Sequence, residues 1–85
     1  MSKVYVCYMI SKGLDDSTNI LSAFDSYDKA ISRNRRAYNN ILTNEKTVGS
    51  DFDSETGTAH IYFEYNGSVT FKIKELNLNF DITLN

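Results

Sequence analysis

The stretch AHIYFEYNGSVTFKI, residues 59–73, decides the fold. Apolar and polar residues alternate on both sides of Asn66-Gly67, which is the pattern of two β-strands. Asn-Gly is a strong signal for a two-residue hairpin, because a type I′ turn needs positive φ at both central positions. The alternating apolar residues are Ala59, Ile61, Phe63 and Tyr65 before the turn, and Val69, Phe71 and Ile73 after it. The stretch therefore predicts an antiparallel hairpin with a type I′ turn.

The first 24 residues predict a second hairpin. β-Branched and aromatic residues recur at every second position from Val4 to Ile10, which predicts a strand. Both faces of this strand would be largely apolar, so we expect it in the middle of a sheet. Residues 11–19 contain Gly, Asp and Asn and have the composition of a turn. Ile20 to Phe24 then form a short strand, which we expect to pair back onto the first one.

Residues 27–44 predict one helix of about four to five turns. Asp25 or Ser26 can cap its first turn, and Asp28 suits the positive end of the helix dipole. At about 100° per residue the apolar positions fall in one arc, and Asn34 lies inside that arc. These positions are Tyr27, Ala30, Ile31, Ala37, Tyr38, Ile41 and Leu42.

The two remaining segments are less regular. Val48 to Phe52 predict either a short edge strand or a loop. Beyond Ile73 the apolar positions change from odd to even numbers, and a one-residue slip turns the apolar face of a strand over. We therefore predict a bulge or break at Lys74-Glu75. Residues 76–85 would follow as an extra strand or as an apolar arm that pairs with a second copy.

These elements predict an α+β fold. An antiparallel sheet of four to five strands carries one long helix on one face, in the order β-β-α-(β)-β-β. With 85 residues the chain makes a single domain, residues 1–85, because domains below about 50 residues rarely stand alone.

Composition narrows the classes of function. A net charge of −2 argues against a generic nucleic-acid binder, which usually carries a basic surplus. A single cysteine and a single histidine rule out an internal disulfide and a site built from Cys or His pairs. The apolar runs are far shorter than the ~20 residues of a membrane helix, and the start does not have the pattern of a signal peptide. We expect no membrane association and a cytoplasmic location.

The sequence offers little catalytic equipment. His60 has no nucleophile near it in sequence, and Cys7 lies among apolar residues, where cysteine behaves as a small hydrophobe. Asp51, Asp53 and Glu55 are spaced like calcium ligands, but the glycine and the final glutamate of a calcium loop are missing. We expect no enzyme activity, no cofactor and no metal.

Basic residues cluster on the predicted helix. Lys29, Arg33, Arg35 and Arg36 lie within eight residues and include all three arginines of the chain. Lys29, Arg33, Arg36 and Asn40 form one stripe beside the apolar arc. Arginine suits phosphates and interface ion pairs, so the cluster is either a solvated helix face or a binding patch.

Tyrosine is the second candidate for binding. Tyr5 and Tyr62, and with them Tyr65, are expected on a sheet face that one helix does not cover. Exposed tyrosines serve protein interfaces or base stacking, and the alternative is ordinary cross-strand pairing. The acidic residues Asp51 and Asp53 could occupy a basic groove of a partner.

Two segments of the chain resemble a family of small phage and bacterial proteins of unknown function. They are Lys3-Val4-Tyr5-Val6-Cys7-Tyr8 and Phe24 to Ala30, which has the pattern F-D-S-x-x-K-A. The members begin with a K-V-Y-V-V-Y strand and carry a similar turn into a helix. The resemblance covers about the first 35 residues, and the arginine cluster and the tail from Leu76 depart from it. It implies a small, non-enzymatic accessory protein that acts in the host cytoplasm.

Two functions follow from these features. The first is a phage-type protein that binds and inhibits or modulates a host protein, such as a component of a defence system or a toxin. The alternative is an RNA- or DNA-binding module that uses the helix arginines and the sheet aromatics. The negative net charge favours the host protein as partner, and a homodimer is a further possibility.

Overall fold

The computed structural model describes residues 2–13 and 16–78, and it confirms the predicted α+β fold. One helix packs on one face of a single antiparallel sheet. The elements are β1 (Ser2–Lys12), β2 (Ser17–Phe24), α1 (Tyr27–Asn44), β3 (Thr47–Phe52), β4 (Ala59–Phe63) and β5 (Ser68–Leu78).

The five strands follow the spatial order β2-β1-β5-β4-β3, and every neighbouring pair is antiparallel. The first strand lies inside the sheet between β2 and β5, as its two apolar sides predict. The segment that could have been a strand or a loop is the edge strand β3. The two sheet edges are therefore β2 and β3.

The helix begins and ends where its sequence signals predict. Ser26 is the N-cap, and its hydroxyl accepts a hydrogen bond from the Lys29 backbone N–H at 3.4 Å. Asp28 lies in the first turn, where a carboxylate interacts favourably with the helix dipole. The helix ends at Asn44, and the N–H of Glu45 donates to the Ile41 carbonyl at 2.9 Å.

The hydrophobic core lies between the helix and the C-terminal half of the sheet. Its buried members are odd-numbered residues of β4 and β5, which point to the helix because side chains alternate along a strand. They are Ala59, Ile61, Phe63, Val69 and Phe71, and the half-buried residues around them include Met9, Leu21, Ala37, Tyr38, Ile41, Leu42 and Phe52.

A polar contact joins the helix to the β3–β4 loop. Asn34 is fully buried, and its Nδ2 donates to the backbone carbonyl of Gly57 at 2.8 Å. Gly57 has a φ of 72°, and a Cβ built on it would lie 2.5 Å from Ile73 Cδ1. The loop backbone therefore enters the interface between the helix and the sheet at a point that admits only glycine.

The predicted type I′ turn at Asn66-Gly67 is wrong. Asn66 has a φ of 73°, but Gly67 is not in the left-handed region. Residues 64–66 form a three-residue loop, in which Phe63 N–H donates to Gly67 O at 2.9 Å and Asn66 N–H donates to Phe63 O at 3.2 Å. A three-residue hairpin needs only one left-handed position, and asparagine tolerates that conformation well.

Gly67→Val is expected to lower the free energy of unfolding by about 1–3 kcal/mol through crowding, not through a strained φ. A Cβ at this position would lie 2.7 Å from Tyr65 Cε2 and 3.3 Å from the Lys12 carbonyl oxygen. Urea denaturation of the single variant and of Gly67→Val combined with Tyr65→Ala measures the effect. Removal of the Tyr65 ring should recover part of the loss, and an unchanged midpoint in the single variant would contradict this account.

The predicted bulge or break at Lys74-Glu75 is also wrong. β5 pairs with β1 in one uninterrupted register from Lys12↔Ser68 to Ser2↔Leu78. At this end the helix-side pair Lys3 and Glu75 is polar and forms a 3.3 Å ion pair, whereas Val4 and Leu76 on the opposite side are apolar. β1 already presents apolar residues on that side, so Leu76 meets Val4 there and no bulge is needed.

Residues 76–78 belong to β5 and do not begin a separate strand. The rest of the predicted arm, residues 79–85, lies outside the described residues. Within the described part of the chain, no helix is long and apolar enough to cross a membrane.

Candidate functional site

The helix covers one face of the sheet, and the other face, here called the open face, has no layer packed on it among the described residues. Cys7 is fully buried against the helix, and its thiol donates to the Ala30 carbonyl at 3.4 Å. The even-numbered residues of β1 and β5 therefore lie on the open face. The β1–β2 register shifts between Cys7 and Tyr8, and it brings Ile20 to the same side as Tyr8.

An apolar groove of about 390 Å³ crosses the open face between β2 and β5. Its lining residues are Val6, Tyr8, Thr18, Ile20, Lys74 and Leu76. Ile20 is 76% exposed and Leu76 is 39% exposed, so the two side chains extend their apolar surface into solvent. Large apolar side chains that cluster on a surface mark interaction sites more often than isolated ones do.

Three lysines lie on the same face of the sheet as the groove. Lys12, Lys72 and Lys74 lie on the open face because they have the same parity as Tyr8 in the β1–β5 register. Asp51, on the far edge strand β3, is the one acidic residue among the described strand residues of this face. The open face is therefore basic and apolar, although the whole chain has a net charge of −2.

The structure divides the predicted basic cluster between two flanks of the helix. Arg35 lies toward β3, with its guanidinium carbon 4.8 Å from the centre of the Phe52 ring. Lys29 and Arg36 lie on the other flank, where Lys29 pairs with Asp25 at 3.2 Å. Arg33 is half-buried close to Cys7. The four residues do not form one continuous patch.

On that flank Lys29 and Arg36 line a shallow hollow of about 260 Å³. Its other lining residues are Phe24, Asp28 and Ser32. Asp25 and Asp28 lie close to these basic residues. Opposite charges therefore alternate along this flank, which weakens its attraction for an anionic partner.

The predicted tyrosines lie in different places. Tyr5 was expected on the uncovered face, and this expectation is wrong: it lies on the helix side, with its ring 5.4 Å from that of Tyr27. The odd parity of Tyr5, shared with the buried Cys7, places it there. Tyr62 lies on the open face and is 52% exposed, as predicted. Tyr65 is exposed and stacks on Phe63 at 5.2 Å.

Burial raises the pKa of the Tyr27 hydroxyl, and the carboxylates of Asp53 and Glu75 raise that pKa further. Burial also raises the pKa of the Cys7 thiol, which the Arg33 guanidinium only partly offsets. A thiol with a raised pKa is a poor nucleophile at neutral pH. Cys7 therefore packs as a small core residue.

A second hollow, of about 410 Å³, lies at the β3–β4 end of the sheet. It is lined by Asp51, Phe52, Asp53, Thr56, Thr58 and His60. His60 is half-buried, and its Nδ1 lies 3.1 Å from Thr70 Oγ1. Asp53 Oδ1 accepts a hydrogen bond from the backbone N–H of Glu55 at 2.9 Å, so this carboxylate stabilises the loop that contains it. In residues 2–13 and 16–78 no three His, Cys, Asp or Glu side chains form a metal-binding group.

Comparisons of the chain with known protein families, with curated proteins and with solved structures find no match. The candidate site therefore depends on geometry alone. Of the predicted binding residues, Tyr62 and Asp51 share the open face, Asp53 follows β3 and lines the same hollow as Asp51, and the basic residues lie on the helix. The residues Val6, Tyr8, Ile20, Lys74 and Leu76 were not predicted to line a groove.

Proposed function

We propose that this protein is a non-enzymatic binding protein that docks another protein on the open face of its sheet. The observation that supports the proposal is the groove between β2 and β5, where Tyr8, Ile20 and Leu76 extend apolar surface beside Lys74. In its biological setting it would be a small phage-type accessory protein. It would bind and inhibit or modulate a host protein, such as a defence-system or toxin component.

The chemistry of the face favours an acidic partner with apolar side chains. Lys12, Lys72 and Lys74 share the face with the groove, and Asp51 lies on β3, two strands away from the two lysines of β5. Lysine stems pack along apolar surface while their ammonium groups reach the rim of a contact. Complementary charges at such a rim speed the encounter and exclude partners of the wrong sign.

A nucleic-acid partner has weaker support. The helix arginines lie on two flanks, Arg35 already contacts Phe52, and Tyr5 lies on the helix side of the sheet. Binding of a single strand needs a continuous basic groove with stacked aromatic platforms. Tyr8 and Tyr62 share the open face, but the groove that reaches Tyr8 does not include Tyr62.

Affinity capture from a bacterial lysate, followed by titration of the identified protein in purified form, tests the proposal. Lys72→Glu combined with Lys74→Glu is expected to weaken the purified complex by about tenfold or more, because like charges at a contact cost more than 1 kcal/mol. The matched control is Lys29→Glu combined with Arg36→Glu on the helix, which should bind like the wild type. Thermal melts of both variants should stay close to that of the wild type, since surface substitutions usually change stability by less than about 0.5 kcal/mol.

Two outcomes would contradict the proposal. If the helix variant loses the partner and the sheet variant keeps it, the basic residues of the helix form the interface. If capture disappears after nuclease treatment and the affinity falls steeply with salt, the partner is a nucleic acid.

A further inference from the structure

We propose that the groove on the open face binds a small anionic amphiphile of the medium-chain fatty-acid class, with its carboxylate at β5 and its apolar chain directed toward β2. The proposal goes beyond the protein partner and does not depend on one, because it concerns the free chain. Its starting observation is a groove of about 390 Å³ in which Val6, Tyr8, Ile20 and Leu76 supply apolar or aromatic surface. Sites for small molecules usually exceed about 300 Å³ and combine an apolar lining with a few polar groups.

The shape of the groove follows from the sizes of the side chains on the open face. Val6 pairs with Ala23 of β2, so one row across the sheet has small side chains. The next row contains the larger pair Tyr8 and Ile20, and Leu76 stands on the other side of the small row. The result is a trough that runs across the strands from β2 to β5. Two strand spacings of about 4.8 Å make it roughly 10 Å long, which suits an extended medium-chain fatty acid.

The two ends of the trough differ in charge. Lys74 lines the β5 end, and Lys72 lies beside it on the same face. Within residues 2–13 and 16–78 neither lysine forms a salt bridge. The other end belongs to β2, whose sequence STNILSAF contains no charged residue. A ligand with a negative charge at one end and an apolar chain at the other matches this asymmetry.

The exposure of the lining residues sets the expected strength of binding. Ile20 is 76% exposed and Leu76 is 39% exposed, and a bound chain would remove part of this apolar surface from water. Because the trough is open to solvent, a dissociation constant of about 0.1–1 mM is expected. The ligand and the proposed protein partner would occupy the same groove, so the fatty acid would compete with that partner.

Titration of the isotope-labelled full chain with sodium decanoate, kept below its micelle concentration and followed by amide NMR, tests the proposal. The amide signals of Val6, Tyr8 and Ile20 should shift in a saturable way, and those of the exposed helix residues Arg36 and Asn39 should stay in place. Acetate has the charge without the chain, and decyltrimethylammonium has the chain with the opposite charge. Both should bind at least about tenfold more weakly than decanoate.

Two variants with matched controls locate the ligand. Ile20→Asp should raise the dissociation constant of decanoate by about tenfold or more, because it removes apolar surface and adds a repelling charge. Lys74→Gln should raise it by about two- to fivefold, because an exposed ion pair contributes little. The controls are Val48→Asp, at a site 67% exposed on the opposite edge strand, and Lys46→Gln, between the helix and β3. Both controls should bind decanoate like the wild type.

Four outcomes would overturn the proposal. They are the absence of a saturable shift at millimolar decanoate, equal binding of decyltrimethylammonium, shifts confined to the helix flank of Lys29 and Arg36, and binding to vesicles of anionic phospholipid without binding to monomeric decanoate. The last result would assign the open face to a membrane surface. Affinity capture of the protein partner uses no fatty acid, so a failure of either proposal can be told apart from a failure of the other.

Discussion

Gly57→Ala is expected to lower the free energy of unfolding by about 2–5 kcal/mol, which is a large share of the stability of a small domain. Two costs combine at this position. The φ of 72° is unfavourable for a residue with a Cβ, and that Cβ would lie 2.5 Å from Ile73 Cδ1 and 3.1 Å from Ile31 Cγ1. The two isoleucine side chains belong to the sheet and to the helix, and both would have to repack to make room, with the Ile31 Cα only 3.4 Å from the new Cβ. Urea denaturation followed by circular dichroism measures the loss.

Gly49→Ala is the matched control. A Cβ on Gly49 would lie 3.8 Å from the nearest atom, Tyr62 Cδ2, which is an ordinary contact, and its φ is not in the left-handed region. The control should leave the free energy of unfolding unchanged or raise it by up to about 1 kcal/mol, because alanine restricts the unfolded chain more than glycine does. Equal losses at the two positions would contradict the close packing described at Gly57.

Asn34→Asp is expected to cost about 3–5 kcal/mol at neutral pH, because it leaves an unpaired charge in the interface between helix and sheet. Asn34 is fully buried and its Nδ2 donates to the Gly57 carbonyl at 2.8 Å. A carboxylate cannot donate, so two oxygens would face each other at that distance. Oδ1 of Asn34 is buried and has no hydrogen-bond partner within the described part of the chain, so a carboxylate oxygen in its place would also lack a donor.

The loss in Asn34→Asp should depend on pH in a defined direction. Burial favours the neutral acid and raises the pKa of the new carboxyl group above its ordinary value. The folded variant then binds a proton more tightly than the unfolded variant, so its stability relative to the wild type falls as the pH rises from the ordinary carboxyl pKa through the raised pKa of the folded state. At acid pH the protonated group can donate to Gly57, so the difference from the wild type should shrink.

Urea titrations at acid and neutral pH measure this difference, with Asn39→Asp as the control. Asn39 is exposed on the same helix, so its variant should stay within about 0.5 kcal/mol of the wild type at both pH values. An Asn34→Asp variant whose loss is small, or is the same at both pH values, would contradict the buried contact with Gly57.

Local signals predict the secondary structure of this chain well. Ser26 and Asp28 mark the start of the helix, the apolar arc defines its buried side, and Asn34 already lies inside that arc in the sequence pattern. The alternation of residues 4–10 with apolar side chains on both sides predicts an interior strand, which is the position of β1. These features depend on neighbours in sequence, so a single sequence contains them.

The errors concern contacts between distant segments. The hairpin turn was misassigned from residues 59–73 alone, where the close approach of Gly67 to the Lys12 carbonyl of the neighbouring segment is not visible. The bulge at Lys74-Glu75 was inferred from one strand, whereas Val4 in the neighbouring strand already matches the changed side of Leu76. Pairing depends on both strands, and the pattern of one strand does not determine it.

The groove could have been inferred from one signal. β1 is apolar on both sides, and a chain with one helix can cover only one side of a sheet. Val4, Val6 and Tyr8 therefore had to lie on a face without a helix. What could not be inferred is the position of Ile20, because the bulge at Leu21 decides on which side of the sheet it lies.

Lysine footprinting of the protein in complex with its captured partner tests the central claim most directly. The chain carries its own controls, because Lys12, Lys72 and Lys74 share the open face while Lys29 and Lys46 are exposed elsewhere. Acetylation of the free and bound protein, read out by mass spectrometry, should show protection of Lys72 and Lys74 in the complex, with Lys29 and Lys46 modified as in the free chain. Protection of Lys29 with Lys72 and Lys74 unchanged would contradict the claim that the open face of the sheet binds the partner.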